Sequence, residues 1–169
     1  MTTSIINSDD GVVSGSSGIK TTGGNDGVLH IQNNGTTNVS VTAAGDVGIG
    51  TTTPSTKLYI SGGSAASAIV TLTDGATITP DFDTGNIFTV TLGGNRTLAN
   101  PSNLVAGQSG SLFVVQDGTG SRTLSWGSYW DFVNGVAPTL STGANAVDRI
   151  DYIVRSATSI HAVFTANYS

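Results

Sequence analysis

The chain has 169 residues and a formal net charge of −5, with eleven acidic residues, all of them Asp, and six scattered basic residues. Such scattering argues against a nucleic-acid-binding surface. Cysteine is absent and no apolar stretch is long enough to cross a bilayer, so we expect no disulfide, no thiolate metal site, no cofactor and no membrane partner. The lack of Glu, together with 23 Gly, favours turns and strands over helices and predicts an all-β fold.

The first part of the chain is poor in residues that could form a core. Of the aromatic residues, only Tyr59 precedes position 80. Residues 1–27 hold short apolar pairs between turn-forming residues and predict an extended arm. We place the domain boundary after residue 67, so that 1–67 form an extended arm and short β shaft for attachment and assembly, and 68–169 form a C-terminal domain. A segment without its own core needs other chains to offset the entropy of ordering, so the arm predicts an assembly.

A β-hairpin is predicted where an Asn-Gly pair separates two alternating runs, VLHIQ and NVSV. Both residues of Asn34-Gly35 tolerate the positive φ that a two-residue turn requires. Direct pairing across this turn would place Val28 and His30 on the same face as Val39 and Val41.

Two further short strands are expected after the hairpin. Val47 and Ile49 alternate with glycines, and Leu58 and Ile60 follow a proline-containing turn. We predict that these four residues contact other chains in a trimer or an attachment site.

From residue 68 onward, the pattern of apolar residues and turns is that of a folded domain. Alternating runs separated by Asp-Gly and Gly-Gly-Asn turns predict an antiparallel β-sandwich or jelly roll. The predicted strands are Ile69–Thr73, Ile87–Leu92, Leu112–Asp117, Thr123–Trp126, Arg149–Arg155 and Ile160–Ala166. The last two carry apolar residues on both faces, which indicates that another surface covers the sheet from outside.

Two segments carry a family resemblance. The run from Ala44 to Leu58, AGDVGIGTTTPSTKL, resembles a segment common in bacteriophage tail-fibre and related virion proteins. Residues 76–169, with the runs ATITPDFDTGNIFTVTLGGNRTL and DRIDYIVRSATSIHAVF, resemble a β-rich domain that recurs at the C-terminus of phage virion proteins. The resemblance implies an intertwined homotrimer located in the virion. It supplies no active-site motif, so no functional residue is carried over from it.

A cluster of aromatic residues lies within the run WGSYWDF. Exposed aromatic rings stack on sugars, whereas buried ones supply core or subunit-interface area. We therefore consider Trp126, Tyr129, Trp130 and Phe132 as candidate glycan or interface contacts, with core packing as the alternative.

Several acidic residues invite a catalytic or metal-binding interpretation. The run Asp81–Asn86 contains the Asp-Thr-Gly triplet of aspartic proteases, but it lacks the preceding apolar strand. As a calcium loop it lacks the bidentate Glu, because Leu92 stands at that position. Asp148 and Asp151 could form a glycosidase-like pair, and Asp151 could approach His161. The alternatives are a structural turn for Asp81–Asn86, neutralised surface charges for Asp148 and Asp151, and a structural hydrogen bond between Asp151 and His161.

The sequence thus favours a non-enzymatic virion structural protein. Between the possible locations, the short shaft favours a homotrimeric capsid-decoration or cement protein that contacts the major capsid protein or another virion protein. The alternative is a short tail fibre or the glycan-binding tip of a fibre, with a host surface glycan as partner. A polysaccharide depolymerase or protease is the third hypothesis, and it depends on isolated Asp residues.

Overall fold

The structure, a computed structural model, describes residues 28–33 and 35–168, with the side chain of Asn33 left out. The predicted extended arm, residues 1–27, lies outside the described residues, as does Asn34 of the predicted turn. The fold is all-β, as predicted from the composition. Across the described residues, no helix is long and apolar enough to span a membrane.

The chain divides into two compact units, one up to Ala65 and one from Ala66 onward. The described part of the N-terminal unit forms one four-stranded sheet with the order β1-β2-β3-β4. Its strands are β1 (Leu29–Asn33), β2 (Thr36–Val41), β3 (Val47–Ile49) and β4 (Leu58–Ile60). The β1–β2 and β2–β3 pairs are antiparallel, whereas β3 and β4 are parallel.

The predicted hairpin is present, but the residues of β1 that share a face with Val39 and Val41 are not the ones predicted. Leu29 pairs with Val41 and Ile31 pairs with Val39, so Val28 and His30 do not share a face with the two valines. The register shifts next to Ile31, at a β-bulge. Because side chains alternate with period two, one extra residue moves every residue beyond it to the opposite face.

The C-terminal unit contains two sheets. Its strands are β5 (Ile69–Thr71), β6 (Thr77–Ile78), β7 (Ile87–Leu92), β8 (Arg96–Leu98), β9 (Ser109–Gln116), β10 (Leu124–Trp126), β11 (Trp130–Phe132), β12 (Val147–Ser156) and β13 (Ser159–Thr165), with a 3₁₀ turn at Val133–Gly135. The larger sheet has the order β11-β13-β12-β9-β7-β5, and the smaller has the order β10-β8-β6.

From β5 to β10 the chain alternates between the two sheets. Strands β5, β7 and β9 lie side by side in the larger sheet, while β6, β8 and β10 lie side by side in the smaller one. All four pairs within these two sets are parallel. The prediction of an antiparallel sandwich is therefore wrong for this part of the unit. Antiparallel pairing is found where β12 joins β9 and β13 joins β12.

The parallel arrangement has a simple physical origin. A parallel pair needs a crossover connection, which in most proteins is a helix. Here a short strand of the opposite sheet serves as the crossover, so the chain coils through both sheets in turn. The missed strands β6, β8 and β11 have only two or three residues each, too few to show an alternating pattern.

One hydrophobic core lies between the two sheets. Phe88, Val90 and Leu92 of β7 point into it, as do residues of β6, β8, β9, β10, β12 and β13. Phe82 stacks on Phe88 with ring centroids 5.4 Å apart and on Tyr152 at 4.8 Å. The Tyr152 hydroxyl donates to the Asn86 carbonyl at 2.8 Å, and burial raises the pKa of this phenol. The ring stack therefore links β7 to β12, which lie on either side of β9 in the larger sheet.

A buried carboxylate connects three segments at the start of β12. Asp148 is 1% exposed, and no positive charge pairs with it among the described residues. Its Oδ2 accepts from the Ser141 N–H at 2.8 Å, and its Oδ1 accepts from the Ser141 hydroxyl at 2.7 Å and the Asn167 N–H at 2.9 Å. The carboxylate thus holds the loop before β12 and the segment after β13 against one strand.

Replacing Asp148 by Ala is expected to lower the free energy of unfolding of the C-terminal unit by about 3 kcal/mol, because two N–H donors and a hydroxyl lose their acceptor. Urea unfolding monitored by tryptophan fluorescence measures the change. Asp83→Ala is the control, since Asp83 is exposed, and it should change stability by less than about 0.5 kcal/mol. Equal effects of the two substitutions would contradict the structural role of Asp148.

Candidate functional site

The tryptophans of the aromatic cluster pack mainly into the core. Trp130 is buried, and its Nε1 donates to the Ala99 carbonyl at 3.2 Å. Its ring meets that of Tyr152 edge to face, with centroids 6.1 Å apart. Trp126 is half-buried and packs edge-on against Phe132 at 4.8 Å. Because Trp130 gives its ring faces to the core, it is not available as a stacking platform for a sugar.

Tyr129 and Phe132 are partly buried at the rim of the same cluster. The backbone of Tyr129 is held on both sides, since its N–H donates to Asn100 Oδ1 at 2.9 Å and its carbonyl accepts from the Ile160 N–H at 2.7 Å. Glycan or interface contact through the partly exposed Trp126, Tyr129 and Phe132 stays a prediction.

The Asp81–Asn86 run forms a turn in which the Asp81 carboxylate already accepts hydrogen bonds from the protein itself. Asp81 Oδ1 accepts from Asn103 Nδ2 at 2.8 Å and from the Asp83 N–H at 3.1 Å. The bond from Asn103, followed by that from Asp83, holds the pKa of the Asp81 carboxyl below its ordinary value. A general acid requires a raised pKa, so the shift is opposite to the one such a role needs.

The two carboxylates of β12 lie on opposite faces of the strand. Asp148 is buried in the inward-facing row, whereas Asp151 lies on the outer face. Asp151 accepts from the Ser111 hydroxyl at 2.6 Å and from Arg149 Nε at 3.0 Å. His161 shares the outer face but pairs in register with Ile153 rather than with Asp151. A glycosidase-like pair of Asp148 and Asp151 is therefore not formed.

An open groove of about 560 Å³ lies on the outer face, over strands β11, β12 and β13. Asp131, Asp151 and His161 supply its polar wall, and Ile153 and Val163 are apolar residues along it. These two side chains are 49% and 56% exposed, so they lie on the outer face, away from the core, as the sequence pattern predicted. The sequence pattern did not predict the groove, because β11 was not predicted as a strand.

The N-terminal sheet brings the other predicted contact residues together. Val47 pairs with Leu58 and Ile49 with Ile60 across β3 and β4, so all four lie on one face. Pairing of β2 with β3 puts Val39 and Val41 on the same face, and the β-bulge between β1 and β2 adds Leu29 and Ile31. Sequence reasoning missed Leu29 and Ile31 because it assumed regular pairing. Their role as trimer or attachment contacts stays a prediction.

Close packing explains the glycines of the segment that resembles tail-fibre proteins. A Cβ on Gly48 would lie 2.4 Å from the Thr51 carbonyl oxygen and 2.9 Å from Ser40 Oγ. Ser40 is fully buried and donates to that same Thr51 carbonyl at 2.7 Å. On the following turn, Lys57 bridges Asp46 and the Ala44 carbonyl. The segment therefore acts as a compact structural turn between β3 and β4.

Part of the C-terminal unit is similar to a known family. Residues 78–156 match the family described as "Putative phage tail fibre C-terminal domain". The matched region runs from β6 to the end of β12 and so contains most of the core. The match supports a phage tail-fibre-type protein and implies that the protein is associated with the virion. It does not extend to the segment between Ala44 and Leu58. No match was found among curated proteins or among solved structures.

Gly48→Ala is expected to destabilise the N-terminal sheet by about 2 kcal/mol, because the new methyl group meets a backbone oxygen that cannot move without breaking the Ser40 hydrogen bond. Hydrogen exchange at the Gly50 and Ser61 amides, which bond to β2 and β3, should become roughly 30-fold faster. Gly63→Ala is the control, because a Cβ there meets nothing within 4 Å. Unchanged exchange in Gly48→Ala would show that the turn is not tightly packed.

Proposed function

We propose that the chain is a non-enzymatic structural component of a phage tail fibre. The observation that carries the proposal is the family match over residues 78–156, which coincides with the best-packed part of the molecule. The resemblance of the segment between Ala44 and Leu58 to tail-fibre proteins points in the same direction. Together they favour the tail fibre over the capsid-decoration role that chain length alone suggests.

The side chains considered for catalysis support a structural role. Asp148 is engaged by three donors inside the protein, and Asp81 accepts two hydrogen bonds within a turn. Asp151 is paired with Arg149 and Ser111. Each carboxylate thus has a role in the fold that accounts for its position without a substrate.

The proposal includes self-assembly and attachment to a second virion protein. The expected state is a homotrimer, as in the proteins that the sequence resembles. Each chain then contributes one C-terminal unit, and the N-terminal part joins the chains and the particle. A glycan-binding tip is the more specific version of this function, in which the partly exposed rim of the aromatic cluster contacts the host surface.

Native mass spectrometry of the purified protein should give a mass near three times the 17.0 kDa of the chain. A stable folded monomer at micromolar concentration would contradict the trimer.

Location and copy number test the assignment to the tail. Antibodies against the C-terminal unit should decorate the tail in electron micrographs of intact virions, and quantitative mass spectrometry should give some tens of copies per particle or fewer. Hundreds of copies, with labelling over the head, would instead support a capsid-decoration protein. Labelling of neither structure would contradict both roles.

A further inference from the structure

One face of the N-terminal sheet carries eight aliphatic residues. The registers align its residues in two rows across the four strands: Leu29, Val41, Val47 and Leu58 in one, and Ile31, Val39, Ile49 and Ile60 in the other. No charged or polar side chain interrupts either row. The opposite face carries His30, Ser40, Gly48 and Tyr59 at the paired positions, none of which has an aliphatic side chain. The sheet is therefore strongly one-sided.

None of these eight residues is buried by the described part of the unit. Among the described residues up to Ala65, the buried positions are Ser40 and Gly48, and both belong to the opposite face. On the aliphatic face, Leu58 is 62% exposed and Ile31 is 57% exposed. A sheet of this kind gains stability only when another surface removes its apolar side chains from water. Among the described residues, no residue up to Ala65 belongs to the hydrophobic core cluster.

We infer that this aliphatic face is a self-association surface, covered by the same faces of the other two copies of the chain in the proposed homotrimer. Its composition supports this occupant. A flat surface of Val, Leu and Ile without charges offers nothing for a partner of different chemistry to recognise, but it is complementary to itself. Identical faces can meet about a symmetry axis, as in most homo-oligomers.

The size of the face supports the same conclusion. Burying a Val, Leu or Ile side chain removes roughly 60 Å² or more from water, so the eight residues offer about 500 Å² per chain. Three such faces around the axis remove about 1,500 Å² of apolar surface from water per trimer, an area comparable in total to a standard-sized protein interface. By comparison, residues 1–27 contain only five Val, Leu or Ile residues, and four of these occur as adjacent pairs. That segment offers less apolar area than the face requires.

This inference gives a location to the self-association that forms part of the proposed function. The two can fail separately. Copy number on the virion tests the tail-fibre assignment, whereas the experiment below uses the purified full-length chain and requires no particle.

The first test compares neighbouring residues on opposite faces of β4. Leu58→Asp places a charge in the proposed interface, and it is tolerated by a single chain because Leu58 is exposed. We expect its dissociation constant to rise at least about tenfold, since the charge would be buried without a partner. Tyr59→Asp, on the other face, should assemble as the wild type does. Light scattering over a dilution series measures both, and circular dichroism checks that the strands are retained.

The second test uses the absence of cysteine from the chain. A short bismaleimide should link Leu58→Cys into covalent dimers much faster than Tyr59→Cys. Equal linking of the two variants, together with an unchanged mass for Leu58→Asp, would overturn the inference and move self-association to another surface, such as the outer face of the C-terminal unit. A monomeric wild type would also overturn it, because the face would then be covered by the chain's own N-terminal segment or by a different virion protein.

Discussion

Contact between the two sheets of the C-terminal unit determines most of its other features. Each sheet has an apolar side that the other covers, since no α-helix occurs among the described residues. Successive strands are therefore laid alternately in one sheet and then in the other. This order forces neighbours in each sheet to run parallel, and it lets strands of only two or three residues, such as Thr77–Ile78, take part in a stable core. The antiparallel strands β12 and β13 then extend the larger sheet.

The two units achieve order by different means. The C-terminal unit closes its own core around Phe82, Phe88 and Tyr152, and a buried carboxylate at Asp148 holds the chain ends of its longest strands. The N-terminal unit holds its turn together by close backbone approach at Gly48 and by the ion pair of Lys57 with Asp46. These contacts define its shape locally but bury no hydrophobic side chain. Such a division suits a protein in which one part is a self-sufficient domain and the other part is completed by assembly.

The sequence was informative wherever strands are long enough to show their period. The runs that became β7, β9, β12 and β13 have six or more residues each, and all four were predicted as strands. Strand direction was not predictable, because it depends on which sheet the intervening segment joins. Among the site residues, Val47, Ile49, Leu58 and Ile60 do share one face. The aromatic cluster was ambiguous from sequence, because the same rings serve a core or a ligand, and only the packing of Trp130 against Tyr152 distinguishes them.

The β-bulge between β1 and β2 couples chain length to surface chemistry. Because of this one extra residue, Leu29 and Ile31, rather than His30, line up with Val39 and Val41. Removing a single residue from the hairpin would turn β1 over and place His30 and Gln32 on the aliphatic face. Removing two residues would return Leu29 and Ile31 to that face. An insertion or deletion in this hairpin therefore keeps the aliphatic face only if it changes the chain by an even number of residues. Related chains that keep the aliphatic face should differ here in length by even numbers of residues, whatever their sequence in the turn.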